Sequence, residues 1–174
     1  VFRQLSNIAG IGVTVPHKIE AAILCDSLTD AARLVGAVNS IQRHQDGSMH
    51  GALFDGIGFV QGLGEHRSRL RGAEILLVGA GGAGRAIAHA LATEAPAGIW
   101  VLDRDPASVA FTVGLINRVA GADIARAASP EAQHATVWIN ATPVGLKPGD
   151  QFPVDPGALT PDTFVADIAS LSRQ

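Results

Sequence analysis

Cysteine is nearly absent from this sequence: Cys25 is the only one among 174 residues, so no intramolecular disulfide can form. We therefore expect a reducing, cytoplasmic compartment, in which Cys25 acts as a small hydrophobic side chain. Apolar runs of membrane-spanning length and a recognisable signal peptide are also missing, which argues against a membrane partner. The net charge of −3 leaves no basic excess for binding nucleic acid, and we expect no metal site.

Hydrophobic residues make up 47% of the chain, and one apolar run passes directly into a glycine-rich turn. Residues Ile75–Val78 are typical of a strand that is buried on both faces. After the turn, apolar residues recur at the spacing of one helix face; they are Ala83, Ala86, Ile87, Ala90 and Leu91. The G-x-G-x-x-G pattern thus occupies a strand-to-helix turn, the setting in which it binds a dinucleotide.

The glycines of this turn have separate predicted tasks. Gly79 allows the tight turn, Gly81 lets backbone N–H groups approach a pyrophosphate, and Gly84 lets helix and strand pack closely. The pyrophosphate would lie at the positive end of the helix dipole. The predicted cofactor-binding residues of the turn are Gly79, Gly81, Gly82, Ala83 and Gly84. The alternative interpretation is an ordinary glycine-rich turn.

A second apolar run, Gly98–Leu102, ends at the carboxylate of Asp103. Asp103 follows the glycines by roughly twenty residues, the separation at which a carboxylate binds the adenosine ribose of NAD. A solvated strand end is the alternative. Arg104 complicates the choice, since a guanidinium can pair with the 2′-phosphate of NADP or stack on adenine. We therefore expect NAD or NADP to bind. NAD is slightly favoured, because carboxylates flank Arg104 on both sides.

The alternation of strands and helices continues beyond Asp103. Asp105 as N-cap and Pro106 at the first helical position predict a helix that ends at Gly121. Thr136–Ile139 and Phe164–Ile168 are predicted to be further strands. This rhythm is typical of a parallel sheet covered by helices on both faces.

The predicted fold class is α/β, a Rossmann-type doubly wound parallel sheet preceded by part of a smaller α/β substrate-binding domain. The basic cluster Glu65–Arg71 is typical of a solvated connector between them. We therefore assign residues 1–66 to the substrate-binding, catalytic domain and residues 67–174 to the dinucleotide-binding domain. Both ends lack start or stop signals, so we expect a slice of a longer chain without the C-terminal end of its Rossmann domain.

The first 60 residues are predicted to contain short strands around one helix. The β-branched run Ile11–Val15 predicts a strand closed by Pro16. Asp26 or Ser27 is the expected N-cap of a helix whose apolar face consists of Leu28, Ala31, Ala32 and Val35. Gly36–Ile41 predicts another short strand.

Three polar residues end or interrupt these apolar runs: Lys18, Asn39 and Asp55. A polar group left unpaired near a core costs about 1–3 kcal/mol, so polar residues in such places usually serve a site. Taken singly, Lys18 and Asp55 are also compatible with exposed turn residues.

Six motifs occur in an order and spacing that leave little room for coincidence: Val13–Lys18 (VTVPHK), Gly36–Ser40 (GAVNS), Asp55–Phe59 (DGIGF), Gly79–Gly84 (GAGGAG), Asn140–Gly145 (NATPVG) and Asp167–Ile168. Together they resemble the signatures of the shikimate/quinate dehydrogenase family over essentially the whole chain. The motifs that contain the lysine, the asparagine and the aspartate are far more specific than the glycine-rich turn alone.

The resemblance implies an NAD(P)-dependent oxidoreductase that interconverts a cyclic hydroxy carboxylic acid and its keto form, of the shikimate or quinate type. The residues it implies are Lys18 and Asp55 for catalysis, Thr14 and Asn39 for the substrate, and Thr142 and Val144 for the nicotinamide. A lysine can take up the hydroxyl proton while a hydride leaves the carbon, and a carboxylate can orient that lysine. The implied partner is a small hydroxy acid, and the protein is expected to be a monomer or homodimer.

Departures from the family pattern bear on the substrate. Leu53 and Phe54 precede the aspartate where the family usually has asparagine and threonine, and Ser170 stands where it has tyrosine, a residue this chain lacks entirely. If Leu53 and Phe54 both line the cleft, the substrate differs from shikimate, because hydrogen-bond partners for a hydroxylated ring are lost. Strand alternation offers the alternative that only one of them touches the substrate.

Two further function classes therefore stay open: a divergent paralogue that acts on another hydroxy acid, and a nucleotide-binding regulatory module without dehydrogenase activity. A pure binding module has no need for both Lys18 and Asp55. The resemblance also implies a serine pair upstream of Val1 and a glutamine ligand downstream of Gln174.

Overall fold

The computed structural model of the chain describes residues 2–5, 7–147, 149–151 and 153–169, so Ser170 lies outside the described residues. Two sheets form, a four-stranded one in the first part of the chain and a five-stranded parallel one in the second. The predicted α/β class, a Rossmann fold with an N-terminal substrate-binding part, is confirmed. None of the helices in the described part of the chain has the length and apolarity needed to cross a membrane.

The first sheet consists of β1 (Gly10–Gly12), β2 (Ser27–Leu28), β3 (Ser40–Arg43) and β4 (Met49–Ala52). Its strand order is β1-β3-β4-β2. Helices α1 (Lys18–Ile23) and α2 (Asp30–Val35) accompany it. The pairs β1–β3 and β3–β4 are antiparallel, and β2–β4 is parallel. The core beneath the sheet includes Val35, Val38, Ile41, Met49 and Leu53.

The predicted start of α2 is wrong. Thr29, not Asp26 or Ser27, is the N-cap, and its hydroxyl accepts a hydrogen bond from Ala32 N at 3.4 Å. The Asp26 carboxylate is unavailable because Oδ2 accepts from Met49 N at 2.7 Å. Ser27 lies in β2.

The two predicted strands that flank α2 are also shorter than expected. Strand β1 ends at Gly12, and Val13 N then donates to the Asn39 carbonyl at 2.8 Å as the chain turns away. Gly36 is no strand residue; it ends α2 in the left-handed region, at φ 71°. Strand β3 begins only at Ser40, so Asn39 lies immediately before a strand rather than within one.

The second sheet consists of β5 (Glu74–Val78), β6 (Gly98–Leu102), β7 (Ala125–Ala127), β8 (Val137–Asn140) and β9 (Phe164–Asp167). Its strand order is β7-β6-β5-β8-β9. Helices α4 (Gly82–Leu91) and α5 (Pro106–Ala120) connect β5 to β6 and β6 to β7. The chain runs outward from β5 to β7 and then returns to β8 beside β5. Ligands bind at such a reversal, outside the carboxyl ends of the strands.

The predictions for α5 are confirmed by its caps. Asp105 Oδ1 and Oδ2 accept from Ala107 N and Ser108 N, Pro106 is the first helical residue, and Gly121 follows in the left-handed region at φ 67°. The connector between the two sheets is the 3-10 helix Gly64–Leu70.

Helix α3 (Asp55–Gly62) joins the two parts of the chain because it packs closely on α4. At Gly56 the helix backbones approach so tightly that an added methyl group would collide with the Ala86 carbonyl and lie 3.2 Å from Ala90 Cβ. Both helices begin at predicted site residues, α3 at Asp55 and α4 at Gly82. The contact therefore fixes the start of one helix relative to the other.

Candidate active site

The glycine-rich turn connects β5 to α4 in the way the sequence predicts. Gly79 has φ 103°, a conformation that favours glycine, and its N–H donates to the Leu102 carbonyl at 2.8 Å. A methyl group on Gly84 would collide with the Gly79 carbonyl, so glycine allows the first turn of α4 to pack against the end of β5. At Gly81, no heavy atom of a described residue other than its chain neighbours lies within 4 Å of the position that a Cβ would take, so this stretch of backbone faces open space.

A cavity of about 590 Å³ lies at the reversal of the strand order. Its lining includes these predicted cofactor-binding residues: Gly79, Gly81, Gly82, Ala83, Asp103, Arg104, Thr142 and Val144. Gly84 does not line it and acts through packing. Sequence reasoning missed several apolar wall residues, among them Val15, Pro16, Ile19, Leu102, Pro143 and Pro153. Val15 and Pro16 adjoin the lysine motif, which was the available signal.

Lys18 and Asp55, 37 residues apart in sequence, form an ion pair in which Lys18 Nζ lies 2.5 Å from Asp55 Oδ2. Asn39 Nδ2 donates to the other carboxylate oxygen, Asp55 Oδ1, at 2.7 Å. Asn39 Oδ1 in turn accepts from Phe54 N at 3.0 Å. The side chains of Lys18 and Asp55 are only 12% and 26% exposed, so the pair is held in a partly desolvated place with every carboxylate oxygen engaged.

Lys18 links this ion pair to the cavity. It is the first residue of α1, and its Cβ lies 3.1 Å from where a methyl group at Gly82 would stand. Its stem therefore lies against the glycine-rich turn and lines the cavity, while its amine reaches Asp55. Asp55 and Asn39 do not line the cavity themselves. Asp55 occupies the first turn of α3, where the helix dipole favours a negative charge.

The Thr14 side chain makes no hydrogen bond to Lys18 or Asp55 among the described residues. Thr14 is exposed in the turn before α1, where its carbonyl accepts from His17 N at 2.9 Å. It does not line the cavity, although its neighbours Val15 and Pro16 do.

The loop after β8 is shaped by Asn140, which is 7% exposed. Its Nδ2 donates to the Val144 carbonyl at 3.1 Å and to Asp167 Oδ1 at 3.0 Å. Its Oδ1 accepts from the Thr142 backbone N at 3.0 Å and from the Thr142 hydroxyl at 2.7 Å. Asn140 thereby fixes Thr142 and Val144 at the cavity wall, a role that the sequence motif did not reveal.

The charged residues after β6 differ in how they are engaged. Asp103 Oδ2 accepts from Ala80 N at 2.7 Å, and Oδ1 accepts from Asp105 N at 3.0 Å. A hydrogen bond from the Ser108 hydroxyl has the largest effect in holding the pKa of the Asp105 carboxyl below its ordinary value. Hydrogen bonds from the backbone N–H groups of Ala107 and Ser108 lower this pKa further. Arg104 is exposed and lines the cavity.

Leu53 and Phe54 point to different environments. Leu53 is 6% exposed and packs in the core of the first part of the chain, whereas Phe54, directly before Asp55, is 56% exposed. The expectation that both line the cleft is therefore wrong, because Leu53 is a core residue. Both residues follow β4, and Phe54 is the N-cap of α3, so they diverge at a strand-to-helix turn and not through strand alternation. Among the residues that the structure describes, no group of three or more His, Cys, Asp or Glu is placed to hold a metal ion.

Comparison with known proteins follows the same lines. Residues 1–41 match the family model for the shikimate dehydrogenase substrate binding domain. The chain is 40% identical to shikimate dehydrogenase (NADP(+)) of Vibrio cholerae serotype O1 over 147 residues. This aligned segment covers 84% of this chain and 52% of that protein.

Two solved structures are similar over most of this chain. Quinate dehydrogenase from Corynebacterium glutamicum in complex with NAD has a TM-score of 0.80 at 28% identity, covering 92% of this chain and 59% of that one. The ligand-free 5-ketofructose reductase of Gluconobacter sp. strain CHM43 has a TM-score of 0.72 at 36% identity, covering 91% and 58%. The chain thus spans little more than half the length of these relatives. The motifs, the fold and these likenesses agree: the chain belongs to the shikimate/quinate dehydrogenase family.

Proposed function

We propose that the whole protein is an NAD(P)-dependent dehydrogenase that interconverts a cyclic hydroxy carboxylic acid and its keto form, of the shikimate or quinate type. The observation that carries the proposal is the Lys18–Asp55 ion pair, whose lysine stem lies against the glycine-rich turn. A residue that touches both a carboxylate partner and a dinucleotide cavity can handle a proton where a hydride is transferred. A module that only bound nucleotide would gain nothing from this pair.

In the proposed mechanism, Lys18 and Asp55 manage the proton. When bound, the nicotinamide supplies or accepts the hydride. In the oxidation direction, the neutral amine form of Lys18 takes the proton from the substrate hydroxyl and becomes the ammonium of the ion pair; in the reduction direction, that ammonium gives the proton to the carbonyl oxygen. Asp55 orients Lys18 through Oδ2, and Asn39 keeps the carboxylate from rotating by holding Oδ1. Asn39 retains a second amide hydrogen, and we propose Asn39 and Thr14 as the two substrate contacts.

The cavity fits a dinucleotide, because glycine-lined backbone stands at the start of α4 and a carboxylate stands at the end of β6. We propose that Gly79, Gly81, Gly82, Ala83 and Gly84 form the pyrophosphate turn. Thr142 and Val144 would flank the nicotinamide.

Asp103 and Arg104 would meet the adenosine ribose. We favour NAD slightly, because a carboxylate binds the ribose hydroxyls and repels a 2′-phosphate. Steady-state kcat/KM with NAD and NADP tests this preference. A strong preference for NADP would mean that Arg104 prevails over Asp103.

The proposed domain division is residues 1–66 for substrate binding and 67–174 for the dinucleotide. It is supported by the two separate sheets and by the connector helix between them. The proposed partner is a small molecule rather than a macromolecule. A monomer or homodimer and a cytoplasmic location stay predictions.

A second candidate function is the reduction of a ketose, by likeness to the 5-ketofructose reductase at 36% identity. Phe54, directly before Asp55, stands where the family usually has threonine, and this exposed departure from the pattern leaves room for a substrate other than shikimate. This candidate keeps the same Lys18–Asp55 chemistry and changes only the substrate.

The deciding experiment uses the full-length protein. Nicotinamide reduction is followed with shikimate and quinate in the presence of NAD or NADP, and nicotinamide oxidation with 5-ketofructose in the presence of NADH or NADPH. Turnover of either acid supports the first proposal, and turnover of 5-ketofructose alone supports the second. Tight nucleotide binding without turnover of any of the three would contradict both and favour the regulatory-module interpretation.

A further inference from the structure

The peptide groups on both sides of Ala80, in the glycine-rich turn, are bound by side chains. Ala80 N donates to Asp103 Oδ2 at 2.7 Å, and the Ala80 carbonyl accepts from Arg85 Nε at 2.9 Å. Asp103 comes from the end of β6, whereas Arg85 comes from the first turns of α4. The turn is thus held from two directions by charged side chains.

These two hydrogen bonds belong to a closed ring. A second nitrogen of the Arg85 guanidinium donates to Ser108 Oγ at 3.3 Å. The Ser108 hydroxyl donates to Asp105 Oδ2 at 2.7 Å, and Asp105 N donates to Asp103 Oδ1 at 3.0 Å. The ring therefore runs from Ala80 through Arg85, Ser108 and Asp105 to Asp103 and back to Ala80.

Arg85 is fixed in this ring on more than one side. Its guanidinium lies 4.3 Å from the centroid of the Phe111 ring, a cation–π distance. Burial lowers the pKa of Arg85, while the charges of Asp105 and Asp103 oppose that effect. A planar guanidinium can serve the Ala80 carbonyl and Ser108 at once from different nitrogens, whereas a lysine ammonium is a point charge on a flexible stem.

Arg85 does not line the cavity, so it acts through its neighbours. We propose that Arg85 is a positioning residue for cofactor discrimination: through the ring it holds the Asp103 carboxylate at the ribose end of the cavity. The proposal rests on the proposed function, because it takes Asp103 as the ribose ligand. Without the ring, the backbone at Ala80 and Asp105, whose N–H groups hold the Asp103 carboxylate, can shift, and the contacts that favour NAD are lost.

The test compares Ser108→Ala with Ser108→Thr in the full-length protein, and adds Arg85→Lys. Ser108→Ala removes the hydroxyl that bridges Arg85 and Asp105, whereas Ser108→Thr keeps it and serves as the matched control. We expect Ser108→Ala and Arg85→Lys to raise the Kd of NAD by about tenfold, the effect of one hydrogen bond of about 1.4 kcal/mol. Ser108→Thr is expected to bind NAD like the wild type.

The ratio of the NADP and NAD dissociation constants separates positioning from general loosening. A merely loosened turn would weaken both cofactors equally, because both share the pyrophosphate. A released Asp103 would weaken NAD more than NADP, so that the ratio falls. We expect kcat at saturating cofactor to stay within about twofold, since the ring does not touch Lys18 or Asp55.

Calorimetric titration of the folded variants gives three distinguishable results. A lower ratio in Ser108→Ala and Arg85→Lys, with Ser108→Thr unchanged, supports the proposal. An unchanged ratio in Ser108→Ala, whether both affinities stay at the wild-type value or weaken equally, overturns it while leaving the proposed dehydrogenase intact. Failure of the wild type to bind either nucleotide overturns the proposed function, and this inference with it.

Discussion

The close approach of α3 and α4 at Gly56 gives a sharp prediction about what aligns the site. Gly56→Ala would place a methyl group against the Ala86 carbonyl and 3.2 Å from Ala90 Cβ. Because a backbone carbonyl cannot rotate away as a side chain can, one helix must shift. Gly58, on the same helix, has nothing within 4 Å of an added Cβ, so Gly58→Ala is the matched control.

The two substitutions share one gain and differ in one cost. Alanine is better than glycine in a helix by up to about 1 kcal/mol, so Gly58→Ala is expected to stabilise the protein slightly. At Gly56 this gain is opposed by overpacking, which typically costs about 1–3 kcal/mol. The collision involves main chain, so we expect the upper end of that range. Gly56→Ala should therefore be about 2–3 kcal/mol less stable than Gly58→Ala.

Urea unfolding of the two full-length variants measures this difference, and steady-state kinetics measures its consequence. A shifted α3 moves Asp55 relative to Lys18, whose stem lies against the glycine-rich turn, and misplacement of about 1 Å can cost up to about a hundredfold in rate. We expect kcat of Gly56→Ala to fall by at least about tenfold, with nucleotide affinity unchanged. Equal urea midpoints and full kcat in both variants would refute the idea that this contact aligns the site.

Three further predictions concern single side chains. Lys18→Ala should lower kcat by about 10² or more with a smaller change in KM. Lys147→Ala, which replaces a lysine outside the ion pair, should leave kcat unchanged, and near-normal turnover of Lys18→Ala would contradict the assignment. Phe54→Thr should raise kcat/KM for shikimate by about tenfold or more, the value of one recovered hydrogen bond. Leu53→Asn should instead lower the free energy of unfolding by about 2–5 kcal/mol, because Leu53 is a core residue. Shikimate kinetics and urea unfolding measure these two effects, and no gain in kcat/KM in a folded Phe54→Thr protein would refute the first. The pKa of Asp105 in the folded state lies below the ordinary aspartate value of about 4. The ionised carboxylate therefore stabilises the protein at a pH above that ordinary value, and this contribution is lost as the pH falls through the lower folded-state pKa. The stability difference between the wild type and Asp105→Asn should therefore be largest at neutral pH and vanish in acid, and a difference that does not depend on pH would contradict this.

Where local signals are strong, the sequence by itself determined the structure. The run Ile75–Val78 followed by glycines predicted the β5–turn–α4 unit, because a buried strand, a positive φ at Gly79 and close packing at Gly84 are all short-range requirements. Asp105 with Pro106, and Gly121, likewise marked the ends of α5, since caps depend on a few neighbouring residues. The family motifs marked Lys18 and Asp55 as the pair, but not their distance.

Only the tertiary structure decided where competing partners were available. Asp26 has the chemistry of an N-cap, yet Met49 N from β4 takes its carboxylate, so Thr29 is the N-cap of α2 instead. Leu53 and Phe54 are both apolar neighbours, and only the packing of the first sheet decides that Leu53 enters the core. Contacts between residues distant in sequence, such as Gly56 with Ala86, depend on how the helices pack against each other, and this packing cannot be inferred from residue spacing along the chain.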